Sequence, residues 1–413
     1  MRPKEGKIFR GWWVVVGLYF SPFFGFWGRF ILTPFLPFLI RDYNWTVTDI
    51  SLSVSIALWV YAIASIFVGR LIDTLGGKRI TMFGGLALML GFGLLSRVTE
   101  LWQLYLVHGV ILSLALAMTG AVPTASIARK WFIKRAGLVS GIIITAFSVS
   151  QAILTPLLTQ SASTITWQTT SLLCIPFGLI VFIMSLLLIE STPESVGLRP
   201  YGAEEGMTED ASQVEIEVAI TPRKALGTVT FWALTIAYGL AGVPLQGLMV
   251  HIVQWAISVG ATPLDAGFAA SAIAIPAIIA KPSWGWIGDR FGKRKIMVLG
   301  STLCALVFLA GWLWVSSTQS LIILCFLIGL FYPIMTLQAP YMGDIFGRAS
   351  IGTLFGITTA VFGILGGFGP TLWGRLADIT GSYSSVCLIS AIIYAVVTTC
   401  YIIARRPLQQ SAD

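Results

Sequence analysis

The segment Gly69–Arg79 reads GRLIDTLGGKR, and Gly285–Lys295, 216 residues further along the chain, reads GWIGDRFGKRK. Glycine, aspartate, a second glycine and two cations recur in register, and each copy lies between the second and third long apolar runs of its half of the chain. Glycines permit a tight turn and a close approach of helices, and basic residues between apolar runs are typical of the loops of membrane proteins. The repeat therefore predicts two equivalent helical halves.

The composition is that of a membrane protein. The 413 residues are 56% hydrophobic and 11% charged, and the mean hydropathy is +0.86. These values exclude a soluble enzyme with a membrane anchor. The apolar runs are continuous and about 20 residues long, which indicates helices rather than the alternating strands of a β-barrel. We predict an all-α membrane protein with twelve spans, at residues 12–39, 49–72, 80–97, 102–128, 137–160, 169–189, 228–257, 264–287, 296–315, 320–341, 350–373 and 382–403.

The spans divide into two bundles joined by a polar connection. We expect a first six-helix bundle over residues 1–189, a linker over 190–227 and a second bundle over 228–413. The linker is acidic and rich in Pro, Gly, Ser and Thr, a composition typical of solvated chain. It shows no catalytic or metal spacing, and the five cysteines form no CxxC pair. The sequence therefore predicts no metal site and no cofactor.

Positive charge gives the orientation. Of the 26 Lys and Arg residues, Arg41, Arg97 and Arg375 fall on one side of the predicted bundle, and Arg29 and Lys281 fall within spans. The others lie on the side of the termini and the linker, which is therefore predicted to be cytoplasmic. The net charge of +8 reflects this topology and attraction to anionic membrane lipids. It requires no nucleic-acid partner.

The repeated loop resembles the signature loop of the major facilitator superfamily, in which Gly, three residues, Asp, two residues and Gly precede basic residues. The resemblance implies twelve helices in two pseudo-symmetric six-helix bundles that alternate between inward-open and outward-open states around a central site. In that superfamily the loop helps to hold one state closed at the cytoplasmic side. We therefore expect a gating role for Asp73 and Asp289.

Further segments resemble the monocarboxylate porters and their bacterial relatives. They are Gly11–Trp13 at the start of span 1, Trp131–Leu138 at the start of span 5 and Ala280–Ser283 in span 8. Two positions depart from the usual pattern, because Arg10 replaces an acidic residue and Ala136 replaces a basic one. The resemblance extends over nearly the whole chain outside the linker.

Arg29 and Lys281 are the most informative residues, because a charge inside a span costs about 2.5 to 3.5 kcal/mol. None of the 18 acidic residues falls at mid-membrane in the predicted spans. A bound anion would complete the pairing, so the sequence predicts a negatively charged substrate. Lys281 matches the cation with which the porters bind carboxylate, usually Arg. Snorkelling of Lys281 to the cytoplasmic surface is the alternative.

Other positions are expected to assist. Arg29, in the outer third of span 1, matches a porter lysine after a one-residue shift, and it serves either as the first anion contact or as an interfacial anchor. His251 in span 7 matches a bacterial segment and is predicted to contact substrate, whereas His108 is expected to be structural. Tyr332, with Tyr19 and Trp27 as weaker candidates, is predicted to line an aromatic cavity.

The coupling scheme stays open. Proton-coupled porters have an aspartate one turn before the span 8 cation, and Ala277 occupies that position. Without this carboxylate, movement of the empty carrier is costly, which favours obligatory anion exchange. Proton symport is equally compatible if His251 or Lys281 titrates.

The sequence thus predicts a secondary transporter, and no enzyme. It moves a small organic anion, a monocarboxylate of the lactate or pyruvate kind, across a plasma membrane, which in a bacterium is the inner membrane. A dicarboxylate or organophosphate exchanger is the alternative, and a non-transporting membrane receptor is a distant one. The partners are the substrate, membrane lipids and, under symport, protons, with no obligatory protein partner.

Overall fold

The computed structural model describes residues 9–133, 135–203, 221–347 and 351–404, except for the side chains of residues 73, 136, 137, 351 and 352. In these ranges it contains twelve helices long and apolar enough to cross a membrane, which confirms the all-α class and the predicted number of spans. The predicted linker residues 204–220 and both chain ends lie outside the description. Spans 1 to 12 are Arg10–Tyr43, Val47–Ile72, Gly77–Leu95, Leu101–Trp131, Leu138–Thr164, Trp167–Leu187, Val229–Ser258, Pro263–Phe291, Lys293–Trp314, Thr318–Phe346, Thr353–Thr380 and Ser384–Ile403.

The chain forms two compact units. The first consists of Met1–Trp45 and Leu52–Ala211, and the second of Thr46–Ser51 and Ser212–Asp413. In the first unit, span 1 packs on spans 5 and 6, and span 3 packs on span 6. In the second unit the most extensive packing joins span 7 to span 11 and span 9 to span 12.

Within the described ranges four spans deviate from a regular α-helix at internal positions, and in span 6 the break is the single residue Cys174 between Trp167–Leu173 and Ile175–Leu187. Span 1 consists of the helices Arg10–Gly25, Trp27–Phe30 and Leu32–Tyr43. Span 4 contains a π-helical segment, Tyr105–Leu112, between Leu101–Leu104 and the helices Ser113–Thr119 and Ala121–Trp131. Span 10 passes from Thr318–Phe331 through a 3-10 turn, Tyr332–Leu337, to Gln338–Phe346. Such irregular segments are frequent at functional sites, because they redirect backbone groups and side chains.

The repeated loop has the same backbone geometry in both copies. Gly76 has φ +84° and Gly292, 216 residues later, has φ +95°. Each glycine directly precedes a long helix, Gly77–Leu95 or Lys293–Trp314. This region of φ and ψ is nearly restricted to glycine. The second glycine of the signature is therefore a backbone requirement of both turns.

The start of the predicted linker packs on the first unit. The Glu190 carboxylate pairs with Lys78 at 3.1 Å and Arg10 at 3.3 Å. The backbone carbonyl of Glu190 accepts a hydrogen bond from the indole N–H of Trp131 at 2.8 Å. The amide of Tyr201 donates to the carbonyl of Trp131 at 2.8 Å. These contacts join the starts of spans 1 and 3 to the end of span 4.

Candidate functional site

Arg29 lies at the irregular part of span 1 and is buried, with 7% of its surface exposed. Its amide donates to the Phe26 carbonyl at 3.2 Å, three residues back rather than four, so the helix is tightened here. The guanidinium carbon lies over the Phe30 ring at 4.6 Å from its centroid, and that ring stacks on Phe26 at 4.3 Å. The stacked rings therefore support the cation by a cation–π contact.

The backbone of Arg29 contacts a second span. His108, which is fully buried, lies in the π-helical segment of span 4 and places Nε2 2.8 Å from the Arg29 carbonyl oxygen. Its Nδ1 lies 2.9 Å from the hydroxyl of Ser53 in span 2. Both ring nitrogens thus have partners, and one partner is the backbone of the predicted anion contact.

Lys281 lies in the uninterrupted helix Pro263–Phe291, and its side chain is half-buried. One turn later, the Trp284 indole N–H donates to the Leu330 carbonyl at 2.7 Å. That carbonyl lies two residues before Tyr332, where span 10 changes to a 3-10 turn. The helix of Lys281 is therefore fixed beside the segment that begins with Tyr332, and the second unit brings these two predicted site residues onto adjacent elements.

Spans 8 and 10 also approach each other closely at Gly329. A Cβ built on Gly329 of span 10 would lie 2.3 Å from the Ile273 carbonyl oxygen of span 8. Only glycine fits at such a distance, because the neighbouring atom belongs to the backbone and cannot rotate away. Span 10 is therefore tightly seated against span 8.

His251 has a hydrogen-bond network of its own within the second unit. The ring is fully buried, with Nδ1 3.2 Å from the Tyr383 hydroxyl and Nε2 2.9 Å from the Pro370 carbonyl. Nε2 also lies 3.2 Å from the Ser51 hydroxyl. The ring nitrogens therefore already hold protein partners, and a substrate contact by His251 requires one of these bonds to exchange.

The weaker aromatic candidates occupy different settings. Trp27 is buried and its indole N–H donates to Ser150 Oγ at 2.8 Å. Tyr19 is partly exposed, and its ring lies near those of Phe20 and Phe23. Trp27 therefore links span 1 to span 5.

The second signature loop contains an ion-pair cluster. Lys293 pairs with Asp289 at 3.3 Å and with Asp344, near the end of span 10, at 2.7 Å. Lys293 thereby joins the turn between spans 8 and 9 to the end of span 10. The side chain of Asp73, the equivalent residue of the first copy, lies outside the described part of the structure.

Two positions were not singled out from the sequence. Trp284 fixes span 8 against span 10, and Glu190 joins three ends of the first unit. Trp284 follows Lys281 at a spacing that places both near one helix face, but the sequence gives no sign that Leu330 accepts from it. Glu190 directly follows an apolar run, a position that the sequence alone does not distinguish from the linker.

Comparison with known families agrees with this architecture. The sequence profile described as Major Facilitator Superfamily matches residues 18–258 and 234–412. The chain belongs to the major facilitator superfamily. It is therefore a multi-pass membrane transporter for a small molecule and not an enzyme.

Curated relatives cover most of the chain at low identity. Monocarboxylate transporter 13 of Rattus norvegicus is 26% identical over 378 residues, which cover 91% of this chain and 84% of the relative. Monocarboxylate transporter 2 of Mus musculus is 24% identical over 407 residues, or 94% and 82% of the two chains. The uncharacterized MFS-type transporter YhjX of Escherichia coli is 24% identical over 324 residues, or 77% and 76%.

A solved transporter shares the fold. The inward-facing, unoccupied structure of a bacterial homologue of the human lysosomal transporter Spinster superposes with a TM-score of 0.78 at 15% sequence identity. The match covers 97% of this chain and 98% of the other. At this identity the likeness concerns the fold alone.

Proposed function

We propose that this transporter carries a small organic anion, a monocarboxylate of the lactate or pyruvate kind, by alternating access. One observation carries the proposal: Lys281 lies within an apolar span, on a helix fixed beside the interrupted part of span 10. Two relatives support this substrate class, since both are named as monocarboxylate transporters.

The chemistry of Lys281 suits a carboxylate. An ammonium group in an apolar span is stabilised by a bound anion, and its three N–H donors match carboxylate oxygens. Tyr332 begins the neighbouring 3-10 turn and is proposed to orient the bound acid through its hydroxyl. A lysine lacks the planar fork of arginine, so recognition at this position depends on a point charge rather than on a bidentate pair.

Arg29 is proposed as a second anion contact, in the first unit. Its guanidinium is buried and supported by the Phe30 ring, and arginine binds carboxylate in a planar, bidentate manner. A dicarboxylate or organophosphate exchanger is the alternative, and a substrate panel distinguishes it.

Two coupling schemes follow from span 8. Ala277, one turn before Lys281, is fully buried and supplies no ionisable group. A bound anion then offsets the positive charge of Lys281, whereas the empty carrier must move that charge within an apolar span, which favours exchange of anions. Proton symport needs a titrating group elsewhere, for which Lys281 and His251 are the proposed candidates. We place both termini in the cytoplasm and the carrier in the plasma membrane.

Counterflow into proteoliposomes tests the proposal. Wild type, Lys281→Gln and Lys281→Arg are compared with a panel of labelled mono- and dicarboxylates. Loss of one partner of a buried charge pair costs about 3–5 kcal/mol, so we expect uptake by Lys281→Gln at low substrate to fall by at least about 100-fold. Lys281→Arg keeps the charge and should retain saturable uptake.

The outcomes separate the hypotheses. Normal uptake by folded Lys281→Gln would remove Lys281 from the site, and preference for dicarboxylates would establish the alternative substrate class. The same vesicles with a pH gradient and no internal anion address coupling. Accumulation driven by the gradient alone would reject pure exchange, whereas uptake that needs internal anion would reject symport.

A further inference from the structure

Spans 1, 2 and 4 of the first unit pack closely around His108, beside the backbone of Arg29. A Cβ built on Gly28 of span 1 would lie 2.7 Å from the Leu112 carbonyl of span 4. A Cβ built on Gly109 would lie 2.9 Å from Ile56 of span 2. Glycine at these two positions lets the three backbones approach closely. The side chain of His108 occupies the resulting junction, fully buried.

The partners of His108 define its hydrogen-bonding state. Nε2 faces the Arg29 carbonyl oxygen at 2.8 Å, and a carbonyl only accepts, so Nε2 carries the proton. In the neutral ring Nδ1 then accepts from the Ser53 hydroxyl, 2.9 Å away, which is closer to Nδ1 than to its other acceptor, the Leu104 carbonyl at 3.3 Å. A directed chain of hydrogen bonds thus runs from Ser53 through His108 to the backbone of Arg29.

These hydrogen bonds matter because they end at the backbone carbonyl of Arg29, in the irregular part of span 1. Arg29 is the third residue of the short helix Trp27–Phe30, which ends before Ile31, and Leu32 begins the next helix. The direction of the Arg29 side chain depends on this short piece of backbone, because each Cα–Cβ bond leaves the helix at a fixed tilt to the local helix axis. A bond from span 4 to the carbonyl therefore fixes the base from which the guanidinium extends.

We propose that His108 is the positioning residue for Arg29, holding its backbone so that the guanidinium meets the bound anion in a fixed geometry. This inference rests on the proposed function, since it assigns to His108 an effect on anion affinity through Arg29. His108 itself touches no substrate. The π-helical segment Tyr105–Leu112 contributes by placing the imidazole opposite the irregular part of span 1.

A double-mutant cycle tests the proposal. His108→Leu, Arg29→Gln and the double variant are compared by the KM and the maximal rate of anion counterflow. We expect His108→Leu to raise KM about tenfold with little change in maximal rate. In the Arg29→Gln background, which lacks the guanidinium but keeps the carbonyl, the same change should alter KM less than about twofold.

Two further variants separate positioning from folding. His108→Gln retains an N–H donor near the position of Nε2 and should restore KM to within about threefold of wild type. Ser171→Ala is the matched control, since Ser171 is buried in the same unit and donates to the Phe92 carbonyl at 2.8 Å. It should leave KM unchanged. If His108→Leu does not fold, Ser53→Ala replaces it in the cycle, with an expected threefold rise in KM.

Each result bears on the inference. An equal factor in KM with and without the Arg29 guanidinium would overturn it, and so would a rise in KM for Ser171→Ala as large as that for His108→Leu. Where Arg29→Gln gives no measurable uptake, the shift of Tm at graded carboxylate concentrations supplies the affinity instead. Wild type is assayed first, so that absence of anion uptake by wild type identifies a failure of the proposed function, on which this inference depends.

Discussion

Each unit of the transporter contains a cation within the apolar part of a span, Arg29 or Lys281, an irregular span and a fully buried histidine, but the two units arrange these parts differently. In the first unit the cation Arg29, the irregular helix and His108 are joined by one hydrogen bond. In the second unit Lys281 lies in a regular helix, the irregular segment begins at Tyr332 on the neighbouring span, and His251 bonds to Pro370 and Tyr383.

Arg29 and Lys281 are therefore supported in two different ways within their apolar bundles. Arg29 has its own backbone fixed from another span, so its guanidinium has a defined base. Lys281 extends from a continuous helix that is fixed by Trp284, one turn away. A planar fork needs a defined direction to bind a carboxylate, whereas a point charge on a flexible stem does not. The arrangement in each unit thus suits the cation that it holds.

The largest effect on stability is expected at His251. His251→Leu would leave the Pro370 carbonyl and the Tyr383 hydroxyl with one partner fewer in a fully buried setting, so the free energy of unfolding should fall by about 2–4 kcal/mol. Tyr383→Phe removes only the bond to Nδ1 and should cost about 1 kcal/mol. Chemical unfolding in detergent measures both variants.

This prediction distinguishes the two histidines. His108→Leu should act on KM through Arg29, whereas His251→Leu should act mainly on stability. Wild-type stability of His251→Leu together with a raised KM would contradict this contrast, and it would favour the sequence-based hypothesis that His251 contacts the substrate.

Much of the fold could be predicted because the bilayer imposes it. Continuous apolar runs must form helices in lipid, so the number of spans follows from hydropathy. Span 7 extends over Val229–Ser258, one residue from the predicted 228–257. The interruptions were not predictable in this way. Pro34 lies three residues after the break at Ile31, and Pro333 is the second residue of the 3-10 turn of span 10, whereas Pro22 and Pro37 lie inside the helices of span 1. Proline therefore marks some interruptions but also occurs where the helix continues.

The candidate site was predictable only in its charges. Arg29 and Lys281 are conspicuous because ionisable residues are rare at membrane depth. The partners of His108 and His251 depend on how each helix is rotated about its axis. A span that is apolar on every side has no polar face to define that rotation, so hydrogen bonds between spans could not be read from the sequence.

An intermediate effect is expected at the glycines of the repeated loop. Gly76→Ala and Gly292→Ala force a side chain into a backbone conformation nearly restricted to glycine, at about 1–3 kcal/mol each. The Cβ at position 76 would also lie 2.8 Å from Ser191 Oγ, whereas nothing lies within 4 Å at position 292. Gly76→Ala should therefore be the more destabilised of the two by unfolding in detergent.

Gly285→Ala is the matched control, since it lies in the same signature segment with open space around its Cβ and without a positive φ. It should be neutral, or stabilising by up to about 1 kcal/mol. A cost at position 285 equal to that at position 292 would show that the repeated turn does not require the left-handed backbone.

The smallest effect on stability is expected at Asp289. Its side chain is 69% exposed, and Lys293 has a shorter contact, at 2.7 Å, with Asp344. Exposed ion pairs contribute about 0–1 kcal/mol, so Asp289→Asn should unfold almost as wild type does. Asp344→Asn should cost more, because it removes the closer and less exposed partner of Lys293.

Transport by the same variant tests the gating hypothesis separately from folding. If Asp289 stabilises one state of the carrier, Asp289→Asn shifts the population between states and changes the maximal rate of counterflow, while the affinity of the loaded site changes little. Asp73→Asn is the equivalent change in the other signature copy. Equal reductions in rate would mean that both copies gate, whereas a reduction at position 73 alone would mean that Lys293 already holds the second turn through Asp344. An unchanged rate in both variants would remove the gating role from the two aspartates and leave the glycine turns as the functional part of the repeat.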